Sequence, residues 1–256
     1  MSKMYHLKVG CAAASVIATA SGTFLIDCHN IHEHSHLLPS NKRFRGVFIT
    51  HQHHDHYSGL EYLRKNGYTI DCLIYSPYER RYGDNSVTVD EWNEFKSHRE
   101  YFEGKGTKTY APYRQSSFDR PWWKTNGVRY WIIGPAQSVA TSDTRELHDA
   151  CLVITAKIDR KRTCCYTGDA SETNLNYIAS HTNNYCNDIL RASHHGSING
   201  ADLDFIKGAN AQYTVISTEP GRYENVPHPT ALKRYKDSTA KTVYRTDEFG
   251  TVVWTI

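Results

Sequence analysis

Between His51 and His56, five of the six residues carry side chains that can bind a metal: His51, His53, His54, Asp55 and His56. The apolar run Gly46-Val47-Phe48-Ile49 precedes them, and Tyr57-Ser58-Gly59-Leu60-Glu61-Tyr62-Leu63, spaced like an amphipathic helix, follows. In an extended segment alternate side chains share a face, so His51 and His53 can hold one metal. The turn into the helix then aims Asp55 and His56 at a second position beside it. Two metals that close can share a bridging hydroxide, a nucleophile available at neutral pH. A solvated histidine-rich loop is the plainer alternative, but such a loop needs neither an acid inside the run nor a strand in front of it.

Other strands also end in chemistry. Thr163-Cys164-Cys165-Tyr166-Thr167-Gly168-Asp169 pairs as a hairpin with Cys151 to Ile158 and delivers Asp169 to the start of a helix over 171–178. Asp188 to Ser193 runs into His194-His195-Gly196-Ser197, and Asn225-Val226-Pro227-His228-Pro229 opens a helix through about Tyr235. Polar, potentially ligating residues thus recur at the C-terminal ends of strands, which points to a single cleft.

The remaining elements frame that cleft. Residues 5–29 read as the first strands, with a hairpin at Ser21-Gly22 in place of a cleaved leader. His32, His34 and His36 alternate in a stretch read as a polar loop near the cleft mouth. Ile70 to Tyr75 reads as one buried strand, and Thr88-Val89-Asp90-Glu91 has the form of a capping box opening a helix that stops at Gly104. A helix over 201–208, a strand over 213–217 and a final hairpin of 241–246 with 250–256 complete the chain. Between about 75 and 125 aromatic and basic residues interleave, among them Tyr78, Arg80, Arg81, Trp122, Trp123 and Lys124. That composition suits base stacking and phosphate contact, and equally suits core filling with arginine at the surface.

At 256 residues the chain can bury a substantial core, and one domain spanning 1–256 is expected. A net charge of +3 permits a polyanionic partner without requiring one. Seven cysteines with no CxxC pair argue against a fully paired secreted framework and for a cytoplasmic location. No apolar run approaches the length of a membrane helix.

The His-x-His-x-Asp-His run after an apolar strand resembles the signature of the metallo-β-lactamase superfamily. Gly134-Pro135, Tyr166-Thr167-Gly168-Asp169-Ala170, His194-His195-Gly196-Ser197, His228-Pro229 and Tyr244-Arg245-Thr246-Asp247 with Gly250 further resemble the lactamase-like domain of the DNA-uptake protein ComEC, without its membrane channel. The resemblance implies an αββα sandwich with a dinuclear site, zinc or manganese. Asp169 would bridge both metals, and His148, one hairpin upstream, would complete the first metal's set of His51 and His53. Asp55, His56 and either His194 or His195 would hold the second, with His194 favoured because it lies nearer the strand end. His195 would then face substrate, and either it or His228 could protonate a leaving oxygen. Asp27, ending a strand, would lie near the metals without binding them. The implied reaction is hydrolysis of a phosphodiester, with DNA as substrate. A hydrolase of lactams, lactones, thioesters or cyclic nucleotides is the alternative, since fold does not fix substrate, and a module with purely structural metals is a more distant one.

Overall fold

The computed structural model describes residues 1–256. The first sheet takes β1 (Lys3–His6), β2 (Ala14–Thr19), β3 (Gly22–Cys28), β4 (Arg43–Ile49), β5 (Thr69–Ile70), β6 (Cys72–Tyr75) and β7 (Lys108–Tyr110). The second takes β8 (Trp123–Lys124), β9 (Val128–Gly134), β10 (Val153–Ile158), β11 (Arg162–Tyr166), β12 (Ile189–Arg191), β13 (Tyr213–Ile216) and β14 (Thr242–Arg245), after which β15 (Val252–Thr255) returns to the first. Strand order is β15-β1-β2-β3-β4-β6-β7 in one sheet, with β5 beside β4, and β14-β13-β12-β11-β10-β9-β8 in the other.

Side-chain alternation makes these sheets into layers. Phe24 and Ile26 of β3, Phe48 of β4 and Tyr130 and Ile132 of β9 point into one core between the sheets. Their neighbours Leu25, Val47 and Ile49 point the other way, against Leu60 and Leu63 of α2 (Gly59–Lys65) and Phe95 and Phe102 of α3 (Val89–Gly104). On the second sheet Ile133 and Val153 meet Leu175 and Ile178 of α5, Phe205 of α6 and Tyr235 of α7. These helices are α5 (Glu172–His181), α6 (Leu203–Ala209) and α7 (Pro229–Ser238); the short α1 (His54–Tyr57), α4 (Gln137–Ala140) and α8 (Thr246–Phe249) lie in connections. Three apolar interfaces separate four layers, which is the αββα sandwich expected from sequence.

The expected capping box forms, with Thr88 Oγ1 accepting the Glu91 N–H at 3.1 Å and the Glu91 carboxylate accepting the Thr88 N–H at 3.2 Å. Three expectations are corrected. The strand over 70–75 divides at Asp71, whose carboxylate receives Arg43 and Arg45 at 2.8 and 2.7 Å. Residues 31–37 form a 3-10 helix where a loop is expected. The closing hairpin does not form: β14 pairs parallel to β13, α8 carries the chain over the top, and β15 pairs with β1. No helix is long and apolar enough to cross a membrane, and all seven cysteines are unpaired.

His6 on β1 is fully buried, its Nδ1 3.2 Å from Ser15 Oγ, its ring 5.2 Å from that of Trp254. Burial, aided by the Arg191 charge, pushes its pKa well below the ordinary value. The unfolded chain therefore binds a proton that the folded chain refuses, and stability present above pH 6.5 is lost as pH falls below it. His6→Leu is expected to remove up to about 1.4 kcal/mol per pH unit from that slope, read as urea-unfolding free energies between pH 7 and 5. An unchanged slope would show that His6 does not carry it.

Candidate metal centre

All parallel strands end toward one edge of the sandwich, and the ligating residues follow those ends: His51 after β4, Asp169 after β11, His194 and His195 after β12. Antiparallel β10 begins there, so His148 just before it reaches the same place. Two backbone bonds fix the junction: Leu152 N–H donates to the Thr50 carbonyl at 2.8 Å, and His194 N–H to that of Gly168 at 3.1 Å. Gly168 has φ 51°, and a Cβ there would lie 2.5 Å from Thr50 Oγ1, so the turn into Asp169 needs glycine.

Four groups of side chains converge: His51, His53 and His148; His51, His56 and Asp169; Asp55, His56 and His195; and His148, Asp169 and His194. Neighbouring groups share members, so they form one continuous site. In the first group His53 Nδ1 lies 3.1 Å from His51 Nε2 and 3.3 Å from His148 Nε2. His53 Nε2 donates to the Ser86 carbonyl at 2.7 Å, which leaves the Nδ1 lone pair facing inward. His148 is held by its own helical turn, where the Asp149 carboxylate accepts Ser171 Oγ–H at 2.5 Å and Ser171 N–H reaches the His148 carbonyl at 3.2 Å.

The opposite side is oriented in the same way. His56 Nδ1 donates to Asp27 Oδ2 at 2.9 Å, so Nε2 faces Asp169 Oδ1 at 3.2 Å. Asp27 is fixed in turn by the Thr50 N–H at 2.8 Å. His195 Nδ1 donates to the Ser217 carbonyl at 3.1 Å, and its Nε2 stands 3.4 Å from Asp169 Oδ2 and 3.6 Å from Asp55 Oδ2. His194, expected to complete the Asp55 and His56 set, falls instead with His148 and Asp169, its Nε2 3.8 Å from Asp169 Oδ2. Both histidines take left-handed conformations, φ 49° and 53°, and the His194 ring is the more open of the two, 27% exposed against 5% for His195.

His228 stays outside these groups. Its Nδ1 accepts the Thr230 N–H at 3.1 Å as the cap of α7, with Pro229 at the first helical position, and it does not line the cleft. His54 is exposed and lies outside them too, as do His32, His34 and His36.

Three buried atoms in the site lack any hydrogen-bond partner: His56 Nε2, Asp169 Oδ1 and His195 Nε2. Orphaned donor atoms aimed at one another are what a cation would satisfy, and mixed imidazole and carboxylate donors suit zinc or manganese. The electrostatics agree. Burial works against a proton on His195, yet the Asp169 carboxylate outweighs it and lifts the imidazole to about 9. Burial likewise opposes ionisation of Asp55, but the His195 imidazole, its Nε2 3.6 Å away, holds that carboxyl at about 2. On the all-imidazole side, burial lowers His148 to about 3 and leaves its nitrogen a free donor. Arg191 lies buried below, its Nη1 unpartnered.

The site opens into a cleft of about 560 Å³. Asn85, Ser86 and Glu91 of the stretch after β6 form one wall, and Tyr223 and Val226 face them. No lysine or arginine lines it. Arg80, Arg114 and Tyr78 of that stretch are used in holding it: Arg80 donates to the Asp84 and Val87 carbonyls, Arg114 to His181 and Thr182, and Tyr78 is buried against Asp84. Sequence reasoning did not find Tyr223 or the Ser86 carbonyl, which come from loops with no ligating pattern. An Asp27 partner for His56 becomes visible only once β3 and β4 pair in parallel.

Comparison with solved structures places this geometry. The metallo-β-lactamase-fold protein YhfI from Bacillus subtilis superposes with a TM-score of 0.59 over 99% of each chain at 16% identity. The chain has the metallo-β-lactamase fold. A diphosphatase of the PhnP family matches at 0.55 over 99% of this chain and 98% of its own, 10% identical. Human short-form tRNase Z matches at 0.54 over 99% and 100%, 14% identical. No protein-family model matches the sequence, and no curated protein does.

Proposed function

We propose that the protein is a metal-dependent hydrolase of phosphate esters, with a phosphodiester of nucleic acid, DNA in particular, as substrate. The observation that carries the reading is the set of orphaned, buried donor atoms of His56, Asp169 and His195 beside the three converging imidazoles of His51, His53 and His148. The ComEC resemblance supports DNA, and structural similarity to a diphosphatase and to a tRNase Z supports phosphorus chemistry. The seven unpaired cysteines fit a reducing compartment such as the cytoplasm.

His51, His53, His148 and Asp169 would hold one divalent ion, and Asp55, His56, His195 and Asp169 a second. When bound, such ions supply a nucleophile at neutral pH and neutralise charge on phosphoryl oxygens. The chain's own contribution is orientation. Ser86, Asp27 and Ser217 accept from the outward ring nitrogens of His53, His56 and His195, which turns the other nitrogen of each ring toward the site. His194, at the opening, stands where its Nε2 can hold or deliver a proton to a leaving oxygen, the role expected from sequence of His228 or of the non-ligating histidine in the 194/195 pair.

Two tests separate the parts. End-labelled single- and double-stranded DNA should be cut by zinc- or manganese-loaded protein and spared after chelation; intact DNA with a full metal complement would sink the nuclease reading. His195→Ala is expected to lose bound metal, whereas His194→Ala keeps it and loses turnover, measured by elemental analysis and hydrolysis of bis-p-nitrophenyl phosphate. The reverse pattern would exchange the two roles. A small phosphate ester, cyclic nucleotide or carbonyl compound is the second reading, favoured by a cleft of about 560 Å³ without a lysine or arginine to grip a polyanion.

A further inference from the structure

The cations missing from the cleft are gathered elsewhere. Lys124 of β8, Arg129 of β9 and Lys157 of β10 stand directly opposite one another across three adjacent antiparallel strands: Lys124 pairs with Arg129, and Arg129 with Lys157. Their neighbours Val128, Tyr130, Ala156 and Ile158 point into the core between the sheets, so the three cations share the outer face. Like charges directly opposed across a ladder destabilise it, and none of the three has a carboxylate within 4.0 Å. Arg162, close by on β11, is instead neutralised by Asp188 at 2.7 Å. With exposed Arg160 the row borders a depression of about 600 Å³, where four cations face the single carboxylate of Asp159.

A second cavity, of about 430 Å³, shares Lys157 and continues along the same face. Trp131, two residues beyond Arg129 and hence on its side of the sheet, lines it together with Phe118, Asn183, Asn184 and Asn187. The row of cations spans about 10 Å, two strand spacings, long enough for its members to reach neighbouring phosphates of one strand. An indole beside such a row is the arrangement that stacks a base while cations track the backbone. Lys157 lies four residues down β10 from Val153, on the order of 13 Å below the end that carries the metal ligands.

We propose that this outer face of the second sheet is a binding surface for single-stranded nucleic acid, separate from the metal centre. Lys124, Arg129 and Lys157 contact consecutive phosphates, and Trp131 receives a base. The purpose of the surface rests on the nucleic-acid reading of the centre, because it supplies the grip on a polyanion that the cleft lacks. Its existence does not, since binding can be measured where nothing is cut.

The test is fluorescence anisotropy of a labelled 20-nucleotide oligothymidine with full-length protein in chelator, across a salt series. Arg129→Gln/Lys157→Gln is expected to weaken binding at least tenfold and to flatten the log–log salt slope by about 1.4, at about 0.7 for each phosphate no longer neutralised. Trp131→Ala is expected to weaken binding with the salt slope unchanged. Both variants should hydrolyse bis-p-nitrophenyl phosphate as the wild type does, and Arg129→Gln should melt at or above the wild-type temperature, because it relieves a like-charge row. Wild-type affinity retained in the double variant, or no wild-type binding, overturns the surface. Cleavage of DNA with the row removed and binding unchanged would leave the hydrolase standing and the surface refuted. Binding lost with the row in a protein that cleaves nothing would do the opposite. A ribonucleotide version of the oligomer reports whether RNA or DNA is preferred.

Discussion

Asp169→Ala is expected to reduce hydrolysis by roughly 10²- to 10³-fold or more, the scale on which a single electrostatic stabilising group acts, and to lower the metal content of the purified protein. The residue is 3% exposed and belongs to two of the four ligand groups, so it is the one carboxylate that touches both halves of the site. Its Oδ2 lies within 3.9 Å of His51, His194 and His195, and its Oδ1 faces His56. Removing it takes a ligand from each proposed ion and the negative charge that draws a cation in. Asp169→Asn separates these effects, since it keeps the shape and one oxygen but not the charge. Turnover should fall in both variants and metal content further in Asp169→Ala than in Asp169→Asn, with the unfolding midpoint as control. Full activity in Asp169→Ala would remove the two-metal reading outright.

The largest effect on stability is expected at Gly59. This residue opens α2 immediately after the ligand run, and a Cβ there would lie 1.9 Å from the Cys28 carbonyl oxygen and 2.8 Å from Ile31 Cγ2. The obstruction is backbone, so no side chain can swing aside, and α2 must lift from the sheet that it covers. Gly59→Ala is therefore expected to cost about 3 kcal/mol, the upper end for overpacking, and to lower the melting temperature by roughly 10 °C. Gly104→Ala is the internal comparison: it ends α3 with nothing within 4 Å of the added methyl, and should be neutral or slightly stabilising. Equal melting temperatures for the two variants would refute the close-approach argument.

What could be read from the sequence depends on whether the information is local. The strand and helix that flank the ligand run, the capping box at Thr88 and the hairpin ending at Asp169 each state their structure within about a dozen neighbouring residues, and each forms as expected. The choice between His194 and His195 could not be made that way. The two residues are chemically identical neighbours, and what distinguishes their placement is a pair of left-handed backbone conformations together with the Ser217 carbonyl. His228 misleads for a related reason, because a histidine before proline at a helix start looks the same whether it caps the helix or reaches a cleft. The basic and aromatic residues after Tyr75 carry the right composition for nucleic acid, but composition does not reveal that Arg80 and Arg114 are tied to carbonyl groups. The row of Lys124, Arg129 and Lys157 is invisible along the chain, since strand register creates it.

The misread closing hairpin has a kinetic consequence. Since Val252 to Thr255 pair with His6 to Lys3, one edge of the first sheet stays open until the end of the described chain has been made. Until then a ribosome-bound intermediate would display the unpaired outer edge of β1, and His6 and Met4 would lack the cover of Trp254. Contacts closing so long a loop make folding slow, and open strand edges invite pairing with other chains. Yield during synthesis should therefore respond to temperature and chaperone supply more steeply than the stability of the finished protein would indicate.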